Sequence, residues 1–558
     1  MINHTASHIP ADVIIQGNLY TANAHGDFVE AIAIQNGIIV YAGSLTEALP
    51  YKGPETKLIS TGEGLAVPGF IDAHAHPAAA TDAIYAIDLS ELKGEEAYLK
   101  AIQSSYSSNP DVQLLYGFGW ETHDFGPEGP QAAVLDAVTD KIPIVIWDLG
   151  YHNMWVNSAA LALGGFVQDS SDSDPNVVRD ENGSPTGMLK EAATEIMTMK
   201  LPGYTLDQCK QGIMKYQEMA VSYGTTAVFD ACIYNAEEKP GYPGQTTLQA
   251  YEELAAEGAL IMKTKSCVVI SSPDRETYEA DLAFLEKVAA REKDEFFRID
   301  TAKYYLDGAL EGKTAFLIEP YLASDGFKGN SNWDTASFCD ACIKTEEKGF
   351  RIHIHAIGDC AVQQSLDGIQ AASEHTGRTD LRPVITHLQL VDENDFARFA
   401  RYNVIAATQT YWFHKDGFYD AIRALVGEER ADRQYPLQKF YDAGIVVANS
   451  SDHPVTPKPR PLEAMETAVT RCDPGDKTER TFLPPAAEKT DLEKILRSFT
   501  IDAAYALCIE KETGSLEVGK KADLVLLDKN IFKLPPHEIS TAQELMTMIN
   551  GKIVYQRQ

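Results

Sequence analysis

The sequence predicts an α/β protein in which parallel strands alternate with helices, and three observations lead there. Several short apolar runs end abruptly in a histidine, lysine or aspartate. Segments of helical period lie between them, for example over 360–374 and 393–402. Both chain ends, by contrast, are β-rich without such alternation. Strand, helix, strand at this spacing reads as βα units of a parallel sheet. Eight such units closed on themselves make a (β/α)8 TIM-like barrel, whose C-terminal strand ends meet on one face.

The elements follow in order. Residues 11–20 and 31–43 read as strand pairs, with turns at Gly17-Asn18 and Asn36-Gly37. Residues 522–528 and 549–555 read as further strands. The simplest arrangement is a small β-sandwich built from both chain ends, 1–68 plus 505–558, beside a barrel over 69–504. The first barrel strand ends in Phe70-Ile-Asp-Ala-His-Ala-His-Pro77. Residues i and i+2 of a strand share a face, so His74 and His76 present two imidazoles side by side. Such a pair serves either as two metal ligands or as two satisfied core histidines. Later apolar runs carry Lys303, then His353 with His355, then His387, then Asp452.

The next barrel strand is expected at 223–230, too far on for one βα connection. Residues 80–220 therefore read as an insertion after the first strand, covering the barrel mouth. Trp120, His123, Trp147, His152 and Trp155 are its candidate pocket residues, with core packing the competing role for the tryptophans.

Composition narrows the function. The formal charge is 48 − 81 = −33, which repels nucleic acid and anionic membranes. No apolar run approaches the roughly 18 residues of a membrane span. The opening 1–8 lacks a cationic start followed by an apolar run, so no signal peptide is expected. Eight scattered cysteines suit a reducing, cytoplasmic setting. Cys339-Asp-Ala-Cys342 lacks a second CxxC and reads as two helix-packing thiols. The expected partner is a small-molecule substrate, and a homodimer is the commonest assembly.

The constellation resembles the amidohydrolase superfamily of metal-dependent hydrolases. Within it, the chain is similar to the branch of YtcJ-like proteins and N-substituted formamide deformylases (amidohydrolase family 3). The residues that carry the resemblance run from Pro68-Gly-Phe-Ile-Asp-Ala-His-Ala-His-Pro77 to the tail Gly514-Ser-Leu-Glu-Val-Gly-Lys-Lys-Ala-Asp523. Between them lie Trp155-Val-Asn-Ser158, Lys303-Tyr-Tyr-Leu-Asp-Gly308, His355-Ala-Ile-Gly-Asp359, Thr386-His-Leu-Gln389 and Ser451-Asp-His-Pro454.

The resemblance implies a metal-dependent hydrolase that cleaves a non-peptide C–N bond, such as a linear N-acyl or N-formyl amide, by attack of a metal-activated hydroxide. It implies that His74 and His76 hold one ion with Asp452, that His355 and His387 hold a second, and that Lys303 is carboxylated and bridges them. The alternative for Lys303 is an ion pair with Asp307. Zn2+ suits imidazole and carboxylate ligands best, although Fe, Mn or Ni use similar ones. Asp452 is the expected catalytic proton carrier. His353 reads as structural or supporting, and Asp359 as a residue that orients an imidazole. His152, Trp155 and Trp120 are the expected substrate-binding residues.

Some features depart from the pattern or fall outside it. Asn449-Ser-Ser-Asp452 stands where Gly-Ser-Asp is common, and Lys190 precedes Glu191 where another residue is expected. His414 has no assigned role. A cyclic-amide hydrolase remains an alternative, since metals do not read ring size. A deaminase fits less well, because 356–359 lacks the glutamate such enzymes carry after this histidine. An inactive scaffold fits least, because all six metal-ligand positions are kept.

Overall fold

The computed structural model describes residues 9–109, 112–121, 124–126, 129–149, 153–166, 176–291 and 294–558. The chain divides into two compact units. The first comprises Met1–Pro77, Lys215–Asn235 and Glu252–Gln558, and the second Ala78–Met214 and Ala236–Tyr251.

The first unit holds an eight-stranded parallel sheet. Its strands, in chain and spatial order, are Phe70–Ala75, Thr225–Asp230, Lys263–Val269, Phe297–Tyr305, Arg351–Ala356, Val384–His387, Ile405–Thr408 and Val447–Asn449. They are called the first to eighth barrel strands below. Every residue of the first, second, third, sixth, seventh and eighth is buried. That is why most of these runs are rich in apolar and small residues instead of strictly alternating, although the third opens with the buried Lys263 and Lys265. The ring nearly closes, and backbone hydrogen bonds join its two end strands at their C-terminal ends. Asp452 N donates to His74 O at 2.8 Å, and His76 N to His453 O at 2.8 Å. The expected helices are present as Asp359–Thr376, which ends at a left-handed Gly377 (φ 69°), and Phe396–Arg401.

Both chain ends pair in one further sheet, whose main path runs from Lys552–Gln556 through Glu544–Ile549, Leu524–Leu527, Leu65–Pro68, Val13–Tyr20 and Phe28–Gln35 to Ile38–Gly43. These pairings form one continuous path, where two packed sheets were expected. Asn36 and Gly37 take positive φ (50° and 76°) and make the expected hairpin turn. Gly17 does not turn the chain. It lies inside the single strand Val13–Tyr20, where the pairing with Phe28–Gln35 shifts register between Gln16 and Leu19. Its φ of 126° suits a bulge that side chains other than hydrogen resist.

The second unit carries its own mixed sheet, in the order Val177–Arg179, Pro185–Lys190, Asn153–Val156, Ile144–Asp148, Leu115–Trp120 and Ile87–Asp88. Its core includes Tyr98, Ile102, Trp120, Ile146 and Trp155. Cys339 and Cys342 lie on the helix Thr335–Glu347 as free thiols, in keeping with a packing role.

The terminal sheet is tied to the barrel by a buried ion pair. Lys263 Nζ, at the start of the third barrel strand, lies 2.6 Å from Asp523 Oδ2 and 2.9 Å from Asn550 Oδ1. The two charged side chains are only 3% and 0% exposed. Removing one partner strands a desolvated charge, whereas replacing both with apolar residues does not. Asp523→Ala is therefore expected to lower unfolding stability by about 3–5 kcal/mol, read as a shift of the urea midpoint. The double change Lys263→Met with Asp523→Leu is expected to recover most of that loss.

Candidate metal centre

Strand register brings the sequence-predicted residues to one end of the barrel. Lys303 pairs in the ladder with His353, Tyr305 with His355, and Ala356 with His387. His74 is the penultimate residue of its strand, and His76 stands just beyond it. His387 ends the sixth strand at φ 77°, and Asp452 follows the eighth at φ 55°. Both lie in the left-handed region, which non-glycine residues enter at a cost that clusters at functional sites.

The side chains converge. The ligand atoms of His74, His387 and Asp452 all lie within 4.8 Å of one another. Asp452 Oδ1 is 3.2 Å from His74 Nε2 and 3.1 Å from His76 Nε2. The His355 ring centroid is 4.4 Å from that of His387. Lys303 Nζ is buried with no hydrogen-bond partner among the described residues and lies 4.8 Å from the Tyr305 ring centroid. The closest trio thus draws His387 together with His74 and Asp452, across the expected division into two ligand sets.

Burial sets the charges. It holds His74 and His387 well below the ordinary histidine range, and neighbouring basic groups push the same way. His355 falls to about 4 by burial and the nearby Lys303. Burial also lowers Lys303 to about 8. Burial alone would raise Asp452, but its hydrogen bond to His76 and the surrounding cations outweigh this and keep it below the usual carboxylate range. For His76, burial is outweighed by the bond to Asp452, and its pKa rises to about 10. Three neutral imidazoles, one carboxylate and a solitary buried amine are a donor set that fits a divalent cation. On His76, a proton and a metal compete for one lone pair.

Several supporting residues were not singled out from the sequence. Gln409 Oε1, a carbonyl oxygen, accepts from His387 Nδ1–H at 3.1 Å. Its amide nitrogen donates to Thr386 Oγ1 and Ser450 Oγ. Asp72 accepts from His74 N, Ser451 N and Ser451 Oγ, and so couples the first strand to the loop after the eighth. Asp72 is two residues before His74, and the period of two that revealed His76 points to it as well. His353 Nε2 lies 2.8 Å from His74 Nδ1, and its ring stacks on Phe229 with centroids 4.6 Å apart. His353, which the sequence does single out as structural or supporting, thus contacts His74 directly.

Other expectations need correction. Asp359 orients no imidazole: its Oδ1 accepts from Ile318 N and Cys360 N. Among the described residues, the carboxylate within 4 Å of His355 is that of Asp307, at 3.6 Å. Asp307 does not pair with Lys303, because it accepts from the amides of Phe316, Ile357 and Gly358. Trp120 and Trp155 are 0% exposed in the core of the second unit, so neither has surface to offer a substrate. Their indole N–H groups donate to Ile146 O and Gln131 O. Trp147 is half-buried against the same unit's core. His152 and His123 lie outside the described residues. His414 Nε2 is 3.7 Å from Asp473 Oδ1.

Similarity to known proteins runs along nearly the whole chain. The family profile described as "Amidohydrolase family" matches residues 57–555. The Bacillus subtilis protein YtcJ is 27% identical over 97% of this chain and 98% of its own length. The N-substituted formamide deformylase of Arthrobacter pascens is 26% identical, with 98% of both chains covered. A metal-dependent hydrolase from Pyrococcus horikoshii shares the fold at a TM-score of 0.76 and 23% identity, covering 94% of this chain and 99% of its own. With a family match across nearly the whole length and a histidine–aspartate cluster at the end of a parallel barrel, the chain belongs to the amidohydrolase family.

Proposed function

We propose that this amidohydrolase cleaves the C–N bond of a linear N-acyl or N-formyl amide, a small-molecule substrate, with one or two divalent metal ions. The observation that carries the reading is the convergence of His74, His387 and Asp452 beside a buried Lys303 with no hydrogen-bond partner among the described residues. Similarity to an N-substituted formamide deformylase along the whole chain supports the bond type. The ligands are His74, His76 and Asp452 for one ion and His355 and His387 for the other, with Lys303 carboxylated to supply negative charge to both. Zn2+ is the favoured ion, and Fe, Mn or Ni suit the same donors. A divalent metal bound there lowers the pKa of a water molecule and polarises the substrate carbonyl.

The chain's own residues handle the proton. Asp452 remains a carboxylate, because its hydrogen bond with His76 and the surrounding cations disfavour protonation. It accepts a proton from the attacking water. As the C–N bond breaks, the same proton passes to the departing nitrogen, which leaves as an amine. Burial lowers the Lys303 pKa and so favours the neutral amine, the form that adds CO2. The products are a carboxylic acid and an amine, so release of an N-substituted amine without ammonia separates this reading from deamination.

Five outcomes test it. Elemental analysis of the purified protein is expected to find a divalent metal, and hydrolysis assays across N-formyl, N-acetyl and cyclic amides to show preference for the linear compounds. Metal-free protein that stays inert after reconstitution with Zn2+ refutes the assignment. Asp452→Asn is expected to lower turnover by about 10²–10⁴-fold with an unchanged circular dichroism spectrum, and Lys303→Ala to lose metal and regain part of its activity with added formate or acetate. Full activity in the first, or unchanged metal content in the second, removes the corresponding role. His353→Ala is expected to weaken metal affinity by about 10–100-fold, measured by competition with a chromophoric chelator.

A further inference from the structure

One departure in the sequence, Asn449-Ser-Ser-Asp452 in place of Gly-Ser-Asp, puts a serine at 450 where glycine is common. In the fold, the Ser450 hydroxyl reaches Gln409, the residue just after the seventh barrel strand. Gln409, Ser450 and Thr386 are all fully buried. The Gln409 side chain has three side-chain partners among the described residues. Its Oε1 accepts from His387 Nδ1–H at 3.1 Å, and its Nε2 donates to Ser450 Oγ at 2.7 Å and to Thr386 Oγ1 at 3.1 Å. The Ser450 hydroxyl hydrogen is itself given to Thr408 O at 3.1 Å, which leaves its lone pairs for Gln409.

The two ends of a side-chain amide have nearly the same shape, so partners decide which end faces which way. Around Gln409, two hydroxyl oxygens stand on one side and a single imidazole nitrogen on the other. In the observed orientation both N–H hydrogens meet an oxygen, and the carbonyl meets His387 Nδ1–H. Turned by half a revolution, the amide could give only one N–H to His387 Nδ1. Its second N–H would be left buried without an acceptor, which folded interiors rarely tolerate. The count of acceptors therefore fixes the amide, and the amide fixes the His387 ring hydrogen on Nδ1. Nε2 is the nitrogen left for an ion.

Resting on the metal-centre reading above, we propose that Ser450 and Thr386 are positioning residues that act through Gln409: together they hold the His387 ring hydrogen on Nδ1 and keep Nε2 bare for a divalent ion. Neither hydroxyl touches His387 itself. With one of them removed, each orientation of the amide leaves one N–H unmet, and the preference between them is lost. The turned amide donates to Nδ1, drives the ring hydrogen to Nε2 and closes the only nitrogen that faces the centre. The fraction of protein able to take the ion then falls, and apparent affinity falls with it.

The test is NMR of the full-length, metal-free protein labelled with 15N-histidine, with the His387 signals identified by their loss in His387→Gln. The wild-type protein is expected to show only the Nδ1–H form. Ser450→Ala and the isosteric Thr386→Val are each expected to show the Nε2–H form at about half or more, and to bind zinc about twofold or more weakly in competition with a chromophoric chelator. Adding Gln409→Glu to either variant is expected to restore the Nδ1–H form, because a carboxylate has no N–H to place. A merely structural hydroxyl gives no such rescue. An Nε2–H form in the wild-type protein, a pure Nδ1–H form in either hydroxyl variant, or no restoration by Gln409→Glu overturns the proposal. Thr386→Val decides alone if Ser450→Ala fails to fold. The expected spectra with no zinc binding in any variant overturn the metal centre and the positioning role with it. The expected spectra and zinc binding without amide hydrolysis support the positioning role and remove only the substrate reading.

Discussion

The two hydrogen bonds that join the first and eighth barrel strands carry the rest of the site. Asp452 N to His74 O and His76 N to His453 O bring residues separated by most of the chain to adjacent positions. Their consequence is electrostatic. A carboxylate delivered beside His76 in a buried place becomes its counter-charge, and their mutual attraction offsets part of the burial cost of both, while His74 stays neutral. Asp72 reinforces the junction from the side, because it holds both the His74 amide and the Ser451 amide and hydroxyl. The left-handed backbone at His387 and Asp452 is held within this frame.

Around the junction, the fold separates the proposed ligands from the groups that hold them. His353 and His355 share a strand face, yet one lies at 2.8 Å from His74 and the other beside His387. Gln409 and Asp307 are likewise committed, the first to His387 and the second to three loop amides. Lys303 is the exception, a buried amine with no hydrogen-bond partner among the described residues.

Much of this was legible from local patterns. Period two placed His74 beside His76, and apolar runs with abrupt polar ends marked the barrel strands. What depends on three-dimensional register was not legible. That His353 meets His74 follows from the distance across a closed ring, which no local spacing encodes. Asp307 and Asp359 both follow ligand-bearing strands, and only the loop amides decide which stands near His355. Trp120 and Trp155 read equally well as pocket or core residues, since burial is a property of packing and not of the residue type. Gly17 looked like a turn because a bulge and a turn ask the same freedom of glycine.

The contact between His74 and His353 has a chemical consequence of its own. Both ring nitrogens of His74 are engaged, Nδ1 toward His353 and Nε2 toward Asp452. One hydrogen must lie between the two imidazoles, so the tautomers of the pair are linked, and a cation can reach His74 only through Nε2. A divalent ion held by these residues would have to displace the hydrogen that Asp452 and His76 share and release it to solvent. Acidification would oppose that exchange, so occupancy of the proposed centre would depend on proton activity as well as on metal supply.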